Sequence, residues 1–118
     1  MFKVIALLKR KAGLSMEDFI DYYETHHAPL MARLQQPEMI GYRRNFVQLD
    51  GGIFSDGEHP WFDVITEFYF LDRAAYESCM ARNAAPELTR LRVEDAEKCL
   101  DQSKIHFFFV EESATKFE

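Results

Sequence analysis

The chain has 118 residues, 47% hydrophobic and 29% charged, with a formal net charge of −6 and a pI near 5.2. That length fills one hydrophobic core and not two, so a single domain over residues 1–118 is expected. The acidic balance, with no lysine or arginine cluster interleaved with aromatics, argues against nucleic acid, and the longest apolar runs (4–8 and 107–110) fall far short of the ~20 residues that span a bilayer, which argues against a membrane partner.

Residues 2–10 read as a strand whose middle, Val4 to Leu8, is apolar on both faces, so both sides of its sheet require cover. The basic run Lys9-Arg10-Lys11 follows the apolar stretch, the reverse of a secretory signal, and a cytoplasmic location is expected. Ser15 with Asp18 three residues on, and Leu14 placed to staple against Phe19, mark a helix start. Met16, Ile20, Tyr23, Leu30 and Leu34 keep helical spacing, while Glu17, Asp21 and Glu24 lie off that stripe. Pro29 cannot donate to the carbonyl of Thr25 and biases Ala28 away from the helical region, which predicts a kink or end near His27 and a short resumed segment to Leu34. His26 and His27 fall in that break.

Residues 39–49 form a second expected strand, interrupted by Arg43, Arg44 and Asn45, and 50–60 form a glycine-bearing loop longer than a usual hairpin. The third strand, 61–71, carries Phe62, Val64, Thr66, Phe68 and Phe70 on one face and Asp63, Ile65, Glu67 and Tyr69 on the other, so that Glu67 is an acid in a hydrophobic run. Asp72 can cap a short helix through Ala81, Pro86 opens another through about Leu100, and 105–110 close the chain as a phenylalanine-dense strand. The order βαββα(α)β is the α+β, ferredoxin-like split pattern. Helices on one face of such a sheet leave the other face bare, yet these strands are apolar on both, which predicts a homodimer of packed sheets. Cys79 and Cys99 lack C-x-x-C spacing and are expected to be buried thiols without a disulfide.

The opening KVIALLKRKAGLSMEDFIDYYETHHAPL, with the later FDVITEFYF and HFFFVEE, resembles the EthD family over nearly the whole chain. The resemblance implies a dimeric α/β barrel, in a superfamily holding methylmuconolactone isomerases, polyketide cyclases, cofactor-free monooxygenases and haem-degrading enzymes. It singles out two positions: the histidine of the His-Ala-Pro motif, His27, and the acid of the third strand, Glu67. Tyr23 stands where many relatives have tryptophan, and His26 makes the pair a double histidine.

His27 continues the stripe of Met16, Ile20 and Tyr23, so its imidazole is expected to point at the sheet and line a cavity. It is the candidate general acid/base, with Glu67 the second candidate catalytic residue, orienting it or relaying a proton; the alternative for Glu67 is a cross-strand pair with Arg43 or Arg44. Tyr23, His26, Tyr42 and Trp61 are candidate substrate-binding residues, since aromatic bodies with polar tips line pockets for planar ligands. Neither His26 nor His27 has a histidine or carboxylate partner at i, i+4, and no phosphate loop or dinucleotide fingerprint is present, so neither a metal nor a cofactor is expected. The expected activity is a cofactor-independent isomerase, cyclase or dehydratase acting on a small carbonyl-bearing ring compound such as a lactone or polyketide-like aromatic. The alternatives are a haem-binding or haem-degrading protein with His27 or His26 as axial ligand, and a non-catalytic small-molecule binding module.

Overall fold

The computed structural model describes residues 1–118. β1 spans Phe2–Arg10. The Ser15 hydroxyl accepts from the Asp18 backbone N–H at 3.1 Å and starts α1, Met16–Tyr22, which widens into one π turn, Tyr23–His27, and runs on as α2, Ala28–Gln35. β2 is Met39–Phe46 and β3 is Val64–Phe70. The Asp72 carboxylate accepts from the Ala75 N–H at 2.8 Å and opens α3, Arg73–Asn83; Pro86, in a first turn where its missing N–H goes unused, opens α4, Pro86–Cys99. β4, Leu100–Val110, ends the ordered elements.

The sheet order is β2-β3-β1-β4, every neighbouring pair antiparallel, with Val4 of the central β1 opposite Phe68 on one side and Phe109 on the other. Strand alternation then sorts the side chains. Val4, Ala6, Leu8, Val64, Thr66, Phe68 and Phe70 turn toward the helices, where they meet Phe19, Tyr23, Cys79 and Cys99 in the core. Fully buried Phe19 and Phe70 contribute ~1.5–3 kcal/mol each relative to exposure. Lys3, Ile5, Leu7, Ile65, Glu67, Tyr69, Phe108 and Val110 lie on the other face, which no helix of this chain covers. The α+β class and the ferredoxin-like order of elements agree with the pattern expected from the sequence.

Three local expectations change. The first helix does not end near His27 but passes through it as a π turn, Ala28 keeping helical angles of φ −63° and ψ −44°, and the expected second segment runs to Gln35. β4 begins at Leu100 rather than 105, because the chain leaves α4 directly into a pairing with Arg10 across an irregular register. β2 and β3 are shorter than expected, so their connection runs over 47–63. Its base is held by the Val47 N–H to the Asp63 carbonyl at 2.9 Å and the Asp63 N–H to the Leu8 carbonyl at 2.8 Å.

Candidate active site

The π turn has a local cause. A regular helix would need the Thr25 carbonyl to face Pro29, which has no N–H and whose ring crowds that oxygen. One extra residue in the turn, with the Ala28 N–H bonding the Tyr23 carbonyl, carries the helix through and leaves Pro29 in the first turn of α2. The wider turn lines up buried Phe19, Tyr23, His27, Met31 and Gln35 at four-residue spacing toward the sheet. It also sets the Tyr23 ring against His27, centroids 4.4 Å apart and planes tilted by 45°, and Tyr22 against His26 at 4.8 Å and 35°.

Beneath this turn lies Asp95 of α4, buried like His27. Its Oδ2 is 2.6 Å from His27 Nδ1, and its Oδ1 accepts the Tyr22 hydroxyl at 2.8 Å. Burial by itself would raise the Asp95 carboxyl, but hydrogen bonds from His27 and Tyr22 outweigh it and hold the group below the usual carboxylate range. Burial, and then the Asp95 charge, push the Tyr22 hydroxyl up, so Tyr22 stays a donor. An ionised Asp95 can only accept, which places the hydrogen of a neutral His27 on Nδ1 and leaves Nε2 with its lone pair. Nε2 has no partner within the protein.

His27 lines a cavity of about 190 Å³ between α2, α3, α4 and the sheet, walled chiefly by Leu8, Met31, Phe68, Met80 and Phe107. The cavity reaches β4, where Ile105 and Phe107 remain 40% and 50% exposed. Tyr23 is fully buried beside it, its hydroxyl sharing a 2.7 Å hydrogen bond with Thr66 Oγ1, and burial raises its pKa. An imidazole in such a setting can take a proton from a ligand carbon and return it elsewhere.

Glu67 is not brought to His27. It lies on the uncovered face of β3, 2.6 Å from Lys3 Nζ, and it accepts from Asn45 Nδ2 at 2.9 Å; these hydrogen bonds, led by Lys3, lower its pKa. The carboxylate that orients His27 is Asp95, because the helices cover the opposite side of the sheet. The cross-strand arginine pairing fails as well: Arg43 stands opposite Glu67 in register but lies over the Tyr69 ring, and Arg44 pairs with Glu24 at 2.7 Å. His26 is exposed on the outer flank. Tyr42 stacks on Phe68, one wall of the cavity, with its own hydroxyl buried and unpartnered and its pKa raised by burial. Trp61 borders a separate open groove of about 380 Å³ with Ser103, Lys104, Ile105 and His106.

Cys99 completes a buried cluster in which donor atoms of His27, Asp95 and Cys99 fall within 4.8 Å of one another. The 2.6 Å contact between Nδ1 and Oδ2 is a direct hydrogen bond with no room for an ion between, and burial pushes the Cys99 thiol up to about 12. The cluster is thus built to hold protons. Asp95 is the residue that sequence reasoning missed. Its signal was a carboxylate four residues before Cys99, on the same face of an amphipathic helix.

A four-stranded antiparallel sheet backed by helices on one face, with a cavity at a helical π turn, defines a ferredoxin-like α+β domain. The EthD domain family matches residues 11–103, and the chain belongs to that family. The fold is similar to an EthD family protein of Bacillus halodurans, at 20% identity and a TM-score of 0.65 over 96% of this chain and 100% of that one. It is similar also to a dimeric ferredoxin-like protein from an uncultured marine organism, at 15% identity and a TM-score of 0.65 over the whole of both chains. An antibiotic biosynthesis monooxygenase shares the fold at 18% identity, with a TM-score of 0.57 over 97% of this chain and 100% of the other. No curated protein matches the sequence significantly.

Proposed function

We propose that the chain is a cofactor-independent enzyme in which His27 Nε2 is the general base, and then the general acid, toward a small, mostly apolar, carbonyl-bearing ring compound such as a lactone or polyketide-like aromatic. The observation that carries this reading is the buried His27–Asp95 hydrogen bond at 2.6 Å at the wall of an apolar cavity. Nε2 removes a proton α to the carbonyl and Asp95 stabilises the imidazolium that forms; the proton then returns to another carbon of the enolate (isomerisation), to the oxygen of a second carbonyl that the α carbon has attacked (cyclisation), or to a β-hydroxyl that departs as water (dehydration). Tyr23 holds the imidazole through its tilted ring contact. Membership of the EthD family, and the small-molecule chemistry named for one structurally similar protein, support a domain that processes or binds small molecules.

Size weighs against the haem alternative: an apolar cavity of roughly 150 Å³ takes up one benzene, so about 190 Å³ suits a single ring and not a four-ring macrocycle. Two copies of the chain are proposed to pack through the uncovered sheet face, as the apolar residues there require and as a similar structure described as dimeric supports. The test of the activity is solvent-proton exchange. Incubated in D2O with a panel of cyclic ketones, lactones and acyl phenols, the protein is expected to speed deuterium uptake α to the carbonyl, and His27→Ala to slow it roughly 10²- to 10⁴-fold. Exchange that is equal in the two proteins would overturn the assignment.

A further inference from the structure

We propose that the cavity selects ligands carrying an anionic oxygen, a carboxylate, enolate or phenolate, and that Arg92 of α4 is the residue that recognises it. The proposal deepens the reading of the cavity as a ligand site. Apart from His27, the polar residues lining it are Gln35, Asn83 and Arg92, so its one permanent charge is the Arg92 guanidinium. Asp95 is turned to His27 and Tyr22 and does not line the cavity.

Arg92 is held by one nitrogen only. Nη2 donates to the Asn83 carbonyl at 2.7 Å and to Thr89 Oγ1 at 3.2 Å; Nε is buried with no partner, and Nη1 donates to no group of the protein. No carboxylate lies within ion-pair distance; Arg33 and Arg43 are also unpaired but exposed, whereas Arg10, Arg44, Arg73, Arg82 and Arg90 each have a carboxylate. Nε is enclosed by the protein, so the donor left for a ligand is Nη1, and an oxyanion there gives this half-buried guanidinium the charge-assisted partner that its apolar wall does not supply. An apolar cavity of roughly 150 Å³ takes up one benzene, so about 190 Å³ suits a single substituted ring. A ring bound with its oxyanion at Arg92 shares the cavity with His27, and the positive end also favours the enolate that proton removal creates.

The test uses the matched probes 2-hydroxybenzoate and 2-hydroxybenzamide, alike in shape and different in charge, with binding followed by NMR on the full chain. The wild type is expected to bind the benzoate roughly 10- to 100-fold more tightly than the amide, the usual worth of a charge-assisted hydrogen bond. Arg92→Gln, which keeps a donor for the Asn83 carbonyl, is expected to lose that preference, and Arg92→Lys to retain part of it. Equal binding of both probes, a preference that persists in Arg92→Gln with the fold intact by circular dichroism, or no binding of either at about 10 mM would overturn the proposal. A charge preference without proton exchange would leave Arg92 in place and remove the catalytic role of His27; exchange without a charge preference would do the reverse.

Discussion

His27 and Asp95 stand 68 positions apart in the chain, yet Nδ1 and Oδ2 meet at 2.6 Å with both side chains about 8% exposed. Two helices supply the pair, each by the register of its buried face. The π turn brings His27 into line with Tyr23, and α4 places Asp95 one helical turn before Cys99. A buried acceptor-only carboxylate against an imidazole fixes the tautomer and ring angle together, so Nε2 is held in one orientation before any ligand enters.

Asp95→Asn is expected to slow turnover roughly 10²- to 10⁴-fold, because an amide nitrogen presented to Nδ1 moves the ring hydrogen to Nε2 and removes the lone pair from the cavity. The variant should also lose stability in a pH-dependent way. The Asp95 carboxyl is held below its unfolded value, so its contribution is fully present above about pH 4 and is lost as the pH falls through the folded value. Urea unfolding of both proteins between neutral pH and about pH 3 should show a gap that closes on the acid side. A gap that stays constant with pH would mean that Asp95 contributes only packing.

Tyr22→Phe removes the second hydrogen bond to the same carboxylate and should cost about 1–2 kcal/mol of stability at neutral pH. Its effect on turnover should be smaller than that of Asp95→Asn, since His27 keeps its own bond to Oδ2. In a double-mutant cycle the two changes should be non-additive, because both act through one carboxylate. Strict additivity would show that the two hydrogen bonds are uncoupled.

Cys79 and Cys99 are both fully buried and free, and burial raises both thiols, Cys99 to about 12. The thiolate is the reacting species, so neither cysteine should be modified by a thiol reagent at neutral pH until the protein unfolds. Titration with an aromatic disulfide in buffer and then in denaturant should read no thiol followed by two. Rapid native labelling of Cys99 would mean that the cluster around His27 opens readily.

What the sequence made legible was local chemistry. Ser15 and Asp72 cap the helices they were expected to cap, Pro86 opens α4, and the alternation of β3 sorts Thr66 and Phe68 inward from Glu67 and Tyr69. His27 turned inward as its spacing required. What stayed hidden depended on competition or distance. The rule that the residue before proline avoids helical angles lost at Ala28, because one π turn relieved the clash while keeping the rest of the helix packed. Glu67 stood beside His27 through the family resemblance alone, and strand periodicity offered no check, because it separates two faces without saying which one the helices cover. Asp95 was unreadable as a partner for the complementary reason: only the assembled layer puts α4 beside the π turn.

One face of the sheet has no helix of this chain against it. Ile5, Leu7, Ile65, Phe108 and Val110 form an apolar surface there, interrupted by Lys3, whose Nζ lies 2.6 Å from both Glu67 and Glu112. Burial alone would lower the Lys3 pKa, but its hydrogen bonds with Glu112 and Glu67 raise it overall, so the ammonium stays charged and paired within an otherwise hydrophobic patch. A sheet face of this composition gains by meeting a second copy of itself, since a two-fold axis through the patch buries both surfaces at once. Phe108, 40% exposed in one chain, sits on this face opposite Ile5, whereas Phe107 beside it points to the helix side. Phe108→Asp should therefore convert a dimer to a monomer in light scattering at micromolar concentration, with the secondary structure retained. Phe107→Asp should leave the dimer in place and impair the cavity instead. A wild-type chain that runs as a monomer, or a Phe108→Asp variant that stays dimeric, would show that the partner surface lies elsewhere.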